Sequence, residues 1–273
     1  MTYINRNGSL QESGSDMIGM QNRGFTYGDA LFDVLKFAAG KVIFLEEHYF
    51  RLMSSMRMLR MKIPNHFTLE GYEKELLKTL EANGFSDSAR IRVSVFRTGR
   101  GFYFPESNQS EYLVETGKLP ENADSPYEIE LFKDYHVSSG LLSTVKTNNR
   151  MVNVLGSIFA QENEYQNAIL INDRKELVGA TDSNLFLVRQ NKIITPSLES
   201  GCINGIIRKK VMEYVKTKEG RSVEEASVSP FELLKVDEVF LTNSITGIQS
   251  VDRYRKKSYQ DSVARALIQE LRF

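Results

Sequence analysis

The sequence predicts a mixed α/β protein made of two domains. Strand-like runs that alternate apolar and polar residues are interleaved with amphipathic helical runs in both halves of the chain. Between the halves lies "KLPENADSP", whose prolines, Asn and Asp interrupt both patterns. The length, 273 residues, allows two cores of ordinary size. The expected division is an N-terminal α/β domain over 1–118, a linker over 119–126 and a C-terminal domain over 127–273.

In the first half, "ALFDVLKFAAGKVIFL" reads as a hairpin turning at Ala39-Gly40. "EEHYFRLMSSMRMLRM" follows as a helix with Leu45, Tyr49, Leu52, Met53, Met56 and Leu59 on one face. Its cations are scattered around the wheel, which fits a core-packed surface helix better than a membrane or calmodulin-type helix. "LEGYEKELLKTLEANG" predicts a second helix burying Tyr72, Leu76, Leu77 and Leu80, stopped by Asn83-Gly84. "ARIRVSVFR" and "SEYLVETG" then alternate as strands.

The second half opens with a strand over "EIELFKDYHV". In "STVKTNNRMVNVL", Lys146 precedes a helix that begins near Arg150, and Met151, Val154, Leu155 and Ile158 are spaced to bury one of its faces. A lysine there is either a snorkelling side chain or a poised amine. "NAILIND", "KELVGA", "NLFLVRQ" and "KIITP" are short strands, with a tight hairpin at Gln190-Asn191. "SGCING" feeds the helix "GIIRKKVMEYVK". Taken alone it is either a glycine turn before a surface helix or a helix start whose unpaired amides bind a phosphate. "SYQDSVARALIQELR" closes the chain as an amphipathic helix.

Composition narrows the chemistry. Lys plus Arg number 35 and Asp plus Glu number 35, so no global field favours nucleic acid or an anionic membrane as a partner. Any anionic ligand needs a local site. No apolar run approaches the ~20 residues that span a bilayer, and the first residues lack the apolar stretch of a signal peptide. Cys202 is the single cysteine, which excludes an internal disulfide and suits a cytoplasmic location. His48, His66 and His136 form no ligand-spaced cluster, so no metal is expected, and His48 reads as a packing or capping residue. GxSxG, GxGxxG and GxxxxGK[ST] patterns are absent.

The order of motifs says more than any one of them. "RGFTYGDALFDVL" with "LEEHYFRL", then "KTNNRMVNVL", "ATDSNLFLV", "IITPSLESGCINGIIRKKV" and "DEVFLTNSITGIQSV" occur in that sequence over nearly the whole chain. In this it resembles the fold-type IV pyridoxal-phosphate enzymes, the class IV family of branched-chain and D-amino-acid aminotransferases and 4-amino-4-deoxychorismate lyase. The resemblance implies a cofactor cleft between two α/β domains, a homodimer, a small amine or keto-acid substrate and pyridoxal 5'-phosphate as cofactor.

Position by position, the resemblance makes Lys146 the lysine that forms a Schiff base with the cofactor. It makes Arg51 the arginine on the cofactor phosphate and Gly205, Ile206 and Ile207 the helix-start amides at that phosphate. Ser244 matches a hydroxyl position in the second phosphate loop. Asn149 and Arg150 flank the cofactor lysine, and Arg150 is a candidate cation for lowering its pKa. Arg92 and Arg97, with Tyr27, fall where relatives face the substrate.

Two departures stand out. Relatives read E-G-T-x-S-N, the glutamate pairing with the pyridine nitrogen; here that offset before Asn184 falls on Gly179. Glycine cannot hold the ring nitrogen protonated, which implies weakened or rerouted carbanion chemistry. Glu176 and Asp182 lie nearby, but an extended segment turns them to the other face. Second, "KTNNRM" is nearer the K-x-x-N-R of the lyases than the K-x-x-G-N-Y of branched-chain enzymes. Against the lyase, Asp33-Val34-Leu35 stands where lyases carry a threonine. The preferred expectation is a transaminase-type enzyme. The alternatives are the lyase, which releases pyruvate and an aminobenzoate for folate synthesis, and a cofactor-fold protein with reduced or lost catalysis.

Overall fold

A computed structural model describes residues 2–14, 18–121 and 126–271. The chain divides into two compact units, Met1–Pro120 with Lys146–Asn149, and Glu121–Val145 with Arg150–Phe273. Residues 122–125, inside the expected linker, lie outside the described residues.

The first unit contains β1 (Tyr3–Arg6), β2 (Ser9–Glu12), α1 (Arg23–Tyr27), β3 (Ala30–Ala38), β4 (Lys41–Val42), α2 (Leu45–Met58), α3 (Leu69–Ala82), β5 (Ser88–Arg97) and β6 (Ser110–Gly117). Its six strands form one antiparallel sheet in the order β2-β1-β6-β5-β3-β4. Period-2 alternation on β3 sends Leu31, Leu35 and Phe37 into a core with Leu52, Met53 and Met56 of α2 and Tyr72, Leu76 and Leu80 of α3. Each such fully buried side chain contributes about 1.5–3 kcal/mol. The β3–β4 turn has positive φ at both Ala39 (49°) and Gly40 (74°), the two-residue geometry that matches strand twist. Thr68 caps α3 by accepting from the Gly71 amide at 3.1 Å, and Gly84 takes the left-handed conformation that ends it. Leu77, expected on the buried face, is 40% exposed, because it sits one position past the stripe that Leu76 and Leu80 occupy.

The second unit contains β7 (Glu128–Leu131), α4 (Met151–Glu162), β8 (Asn167–Ile171), β9 (Leu177–Ala180), β10 (Asn184–Arg189), β11 (Lys192–Pro196), α5 (Ile206–Lys216), β12 (Ser222–Ala226), β13 (Glu238–Asn243), β14 (Gly247–Val251), β15 (Arg253–Tyr254), β16 (Lys257–Ser258) and α6 (Ser262–Leu271). Two five-stranded sheets run β12-β11-β10-β13-β14 and β16-β15-β7-β8-β9. Leu185 and Leu187 of β10, Val239 and Leu241 of β13, and Ile129, Ile169 and Leu177 of the other sheet share one core. α6 starts on the buried Glu238, whose carboxylate accepts from the Val263 amide at 2.9 Å and the Ala264 amide at 3.3 Å.

Two expectations for this half are corrected. The strand over "EIELFKDYHV" ends at Leu131. On α4, Met151, Val154 and Ile158 are 67%, 51% and 44% exposed, while Gly156 and Ala160 are buried and Val152, Leu155 and Phe159 pack against the core. This helix is apolar most of the way round, so spacing alone could not choose its inward face.

Candidate active site

Lys146 is built into the sheet of the first unit. The Phe32 amide donates to the Lys146 carbonyl at 2.8 Å, Thr147 bridges Leu31, and the Asn148 amide donates to the Ala30 carbonyl at 2.9 Å. Its amine lies 4.9 Å from the centroid of the Phe32 ring.

Beside it is a buried charge cluster. Asp33 is 1% exposed and sits on the apolar face of β3. Its carboxylate accepts from Arg51 Nη2, from Arg51 Nε at 3.3 Å, from His48 Nδ1 at 3.1 Å and from the Val34 amide at 2.7 Å. His48 and Arg51 are three residues apart on α2 and therefore share a face. Burial opposes ionisation of Asp33, yet Arg51, then His48 and also Lys146 hold its pKa well below the ordinary carboxylate value. Burial lowers the pKa of His48, and the Asp33 carboxylate opposes that fall only in part. Neither Asp33 nor His48 was expected to partner Arg51. The available signal was a carboxylate on the inward phase of an apolar strand, which demands a counter-charge.

The substrate-side residues separate. Arg92 is half-buried, with its guanidinium 4.1 Å from the Phe32 centroid and Nε donating to Ser94 Oγ at 3.2 Å. Arg97 is committed elsewhere: it donates to Asp29 at 2.9 Å, Asn108 at 2.6 Å, the Leu59 carbonyl at 2.6 Å and the Arg60 carbonyl at 3.3 Å. Arg23 shares Asp29 at 3.0 Å and also holds the Gly101 and Phe102 carbonyls. Tyr27 is exposed, with the Arg23 guanidinium 4.8 Å from its ring and the Tyr103 ring at 5.9 Å. Asn149 donates to the Gly28 carbonyl at 3.2 Å, and Gly28 has φ 64° with the Asn149 side chain where a Cβ would stand.

In the second unit, Gly205 is the N-cap of α5, and no side chain caps that helix. A Cβ at Gly205 would lie 1.9 Å from Asn184 Oδ1, while Asn184 Nδ2 donates to the Ile203 carbonyl at 2.8 Å. Glycine is thus required by close approach, and the amides that begin α5, at Gly205 and the buried Ile206 and Ile207, have no side-chain cap. Ser244 is half-buried in the β13–β14 turn, where Asn243 Oδ1 accepts from the Ile245 and Thr246 amides, both at 2.9 Å. Arg150, the N-cap of α4, donates to the Val145 carbonyl, and burial pulls its pKa down to about 10.

Gly179 lies on β9 opposite Leu170. A Cβ there would meet the Ser183 carbonyl at 2.8 Å, the same carbonyl that accepts from the Ala180 amide at 2.8 Å. Glu176 is tied to Asn172 and Arg174 through Oε2 and to Ser227 through Oε1. Asp182 accepts from Asn167 and Ser183, both at 2.9 Å. The two carboxylates close to Gly179 in sequence are thus both hydrogen-bonded to other partners, and position 179 itself carries none.

A family profile described as "Amino-transferase class IV" matches residues 30–254. Among curated proteins, the aminodeoxychorismate lyase of Vibrio harveyi is 27% identical, over 86% of this chain and 86% of that protein. The D-alanine aminotransferase of Bacillus licheniformis is 27% identical, over 90% of this chain and 87% of that one. Among solved structures, the branched-chain amino acid aminotransferase of Escherichia coli superposes with TM-score 0.89 at 19% identity, covering 99% of this chain and 93% of the other. That of Thermobaculum terrenum, solved in its pyridoxal-phosphate form, gives 0.86 at 21% identity, covering 99% and 92%. The fold is therefore that of the fold-type IV enzymes. With most of its length matched by the family profile, the chain belongs to the class IV aminotransferases, enzymes whose cofactor is pyridoxal 5'-phosphate.

Proposed function

We propose that the protein is a transaminase-type enzyme acting on an amino acid or amino-acid-like amine, with Lys146 as the catalytic amine. The observation that carries this reading is the seating of Lys146: its main chain is hydrogen-bonded to β3, and its amine shares the Phe32 ring with Arg92. In this reading Arg51, the amides of Gly205, Ile206 and Ile207, and Ser244 hold the cofactor phosphate, with Asn149 and Arg150 flanking the lysine. The division into an N-terminal domain and a C-terminal cofactor-binding domain belongs to the same reading.

Bound pyridoxal phosphate supplies an aldehyde and a conjugated ring that delocalises charge released at the substrate Cα. Lys146 must present a neutral amine to bind the cofactor, and it then holds and moves the Cα proton. Arg92 takes the substrate carboxylate, and Tyr27 is a further substrate-side residue. Arg97 serves the site indirectly, by tying Asp29 to the loop that follows β5.

A second reading is lyase action on 4-amino-4-deoxychorismate. Asn149, Arg150 and the similarity to the Vibrio lyase support it. The burial of Asp33 beneath Arg51 and His48 favours the transaminase, because the side chain at that position is unavailable to a substrate. A third reading, reduced catalysis, rests on Gly179. We further read the protein as a cytoplasmic homodimer; no helix among the described residues is long and apolar enough to cross a membrane.

The test is spectroscopic. Purified protein is expected to take up pyridoxal phosphate with a cofactor absorption band that Lys146→Ala abolishes. Absence of uptake would sink both enzyme readings. Keto-acid release from aminodeoxychorismate without a co-substrate would establish the lyase instead of the transaminase.

A further inference from the structure

β10 and β13 are antiparallel neighbours, with Asn184 paired to Thr242 and Phe186 to Phe240. Residues opposed in such a pair point to the same face. Leu185, Leu187, Val239 and Leu241 fill the core shared with the other sheet, so Asn184, Phe186, Phe240 and Thr242 share the opposite face. The stacked rings of Phe186 and Phe240, 4.8 Å between centroids, lie on it. So does the start of α5, which packs against β13: Asn184 Nδ2 donates to the Ile203 carbonyl at 2.8 Å, and Asn184 Oδ1 stands where a Cβ on Gly205 would go. Thr242, across from Asn184, is 1% exposed, and among the described residues its hydroxyl has no hydrogen-bond partner.

We propose that Thr242 is a binding residue for a phosphate at the start of α5, its hydroxyl donating to a phosphate oxygen. A buried hydroxyl left unpaired destabilises a fold. Valine would match its shape, suit a central strand and bring no group to satisfy. What favours threonine here is therefore an acceptor that the fold itself does not provide. No side chain caps α5, and the amides of its first turn have no acceptor within the helix. Helix-start amides and a buried hydroxyl thus converge on the same end of the sheet, and both are donors. A phosphate monoester, with three strong acceptor oxygens and a negative charge, accepts from both. The inference rests on the proposed function, which names pyridoxal phosphate as the monoester, and it adds a residue from β13 to the phosphate site. It also links two properties. The hydroxyl costs stability until a ligand accepts from it, so its removal should move folding and binding in opposite directions. A threonine bonded within the fold would move folding the other way.

The test compares the full chain with Thr242→Val and Thr242→Ser. In urea unfolding of the cofactor-free proteins, Thr242→Val is expected to keep or raise the midpoint. In spectral titrations its affinity for pyridoxal phosphate is expected to fall about 10-fold, the worth of one hydrogen bond to a charged group, while its affinity for pyridoxal holds. Thr242→Ser restores the hydroxyl and is expected to bind pyridoxal phosphate within about two-fold of the parent. Affinity for pyridoxal phosphate that is unchanged in Thr242→Val, or weakened no more than affinity for pyridoxal, overturns the proposal. So does a lower urea midpoint, which would reveal a partner within the fold. Cofactor uptake by the parent is scored separately. A parent that takes up no pyridoxal phosphate sinks the enzyme reading, and inorganic phosphate then becomes the probe, against chloride at equal ionic strength. A phosphate-induced rise in the parent's urea midpoint that Thr242→Val loses would still assign the hydroxyl to an anion site, and no such rise would overturn it.

Discussion

Asp33→Asn isolates the charge at the centre of the buried cluster. The substitution keeps the side chain's shape, leaves one oxygen for Arg51 and turns an amide N–H towards His48 Nδ1, which is itself a donor. Arg51, at 15% side-chain exposure, then loses the Asp33 charge, and His48 faces an amide in place of a carboxylate. Removing one partner of a buried pair costs about 3–5 kcal/mol. Partial exposure of Arg51 places the expected loss at the low end, about 3 kcal/mol. Urea unfolding of the cofactor-free protein at pH 7, followed by circular dichroism, measures it. Adding Arg51→Gln to Asp33→Asn removes both charges and is expected to recover at least half of the loss. The pH dependence gives a second readout. The folded-state pKa of Asp33 is depressed, so its contribution is fully present above the unfolded carboxylate value and is lost as pH falls towards the folded one. The lowered pKa of His48 works in the same direction, from the ordinary imidazole value downwards. Stability should thus fall on acidification, and less steeply in Asp33→Asn. A variant within about 1 kcal/mol of the parent, with an unaltered acid limb, would refute the account of the cluster.

Gly205→Ala places a methyl group 1.9 Å from Asn184 Oδ1, so either Asn184 leaves the Ile203 carbonyl or the start of α5 moves. Affinity for pyridoxal phosphate, measured by spectral titration, should drop at least ~10-fold, while affinity for pyridoxal should change little if the phosphate is held there. Arg97→Leu takes the guanidinium from Asn108 and leaves Asp29 to Arg23, and should cost about 1–3 kcal/mol in urea unfolding. Arg92→Leu should unfold near the parent midpoint and instead raise KM for a carboxylate-bearing amine.

Patterns carried by one element were legible in the sequence. The hairpin at Ala39-Gly40, the helices α2 and α3 and the uncapped glycine entry to α5 each follow from local periodicity and turn chemistry. What the sequence hid depends on pairing across distance. Asp33 meets His48 and Arg51 only because β3 packs beneath α2, and Arg97, five residues beyond Arg92 on the same strand, is captured by Asp29. The face of α4 was misread because Met151, Val154 and Ile158 have the same spacing as a buried stripe. Gly156 and Ala160, small enough for close approach to β8 and its neighbours, lie on the contact side with Val152, Leu155 and Phe159.

The missing glutamate at position 179 is embedded in its surroundings. The bend after β9 is held by three asparagines: Asn167 accepts from the Thr181 amide and hydroxyl, Asn153 donates to the Thr181 carbonyl at 2.6 Å, and Asn243 donates to Ser183 Oγ at 3.0 Å. That bend places the Ser183 carbonyl 2.8 Å from where a Cβ on residue 179 would sit, so a longer side chain there must push backbone that several hydrogen bonds hold in place. The two carboxylates close in sequence are spent on other partners, Glu176 on Arg174, Asn172 and Ser227, and Asp182 on Asn167 and Ser183. Freeing either would strip a hydrogen-bonded network of its acceptor at about 1–3 kcal/mol per orphaned donor. Position 179 therefore sits in a local fold that suits glycine and has no room for an acid without rearrangement. In the proposed reading, chemistry that draws on Lys146 as a proton carrier tolerates glycine at 179 better than chemistry that draws on a protonated ring nitrogen.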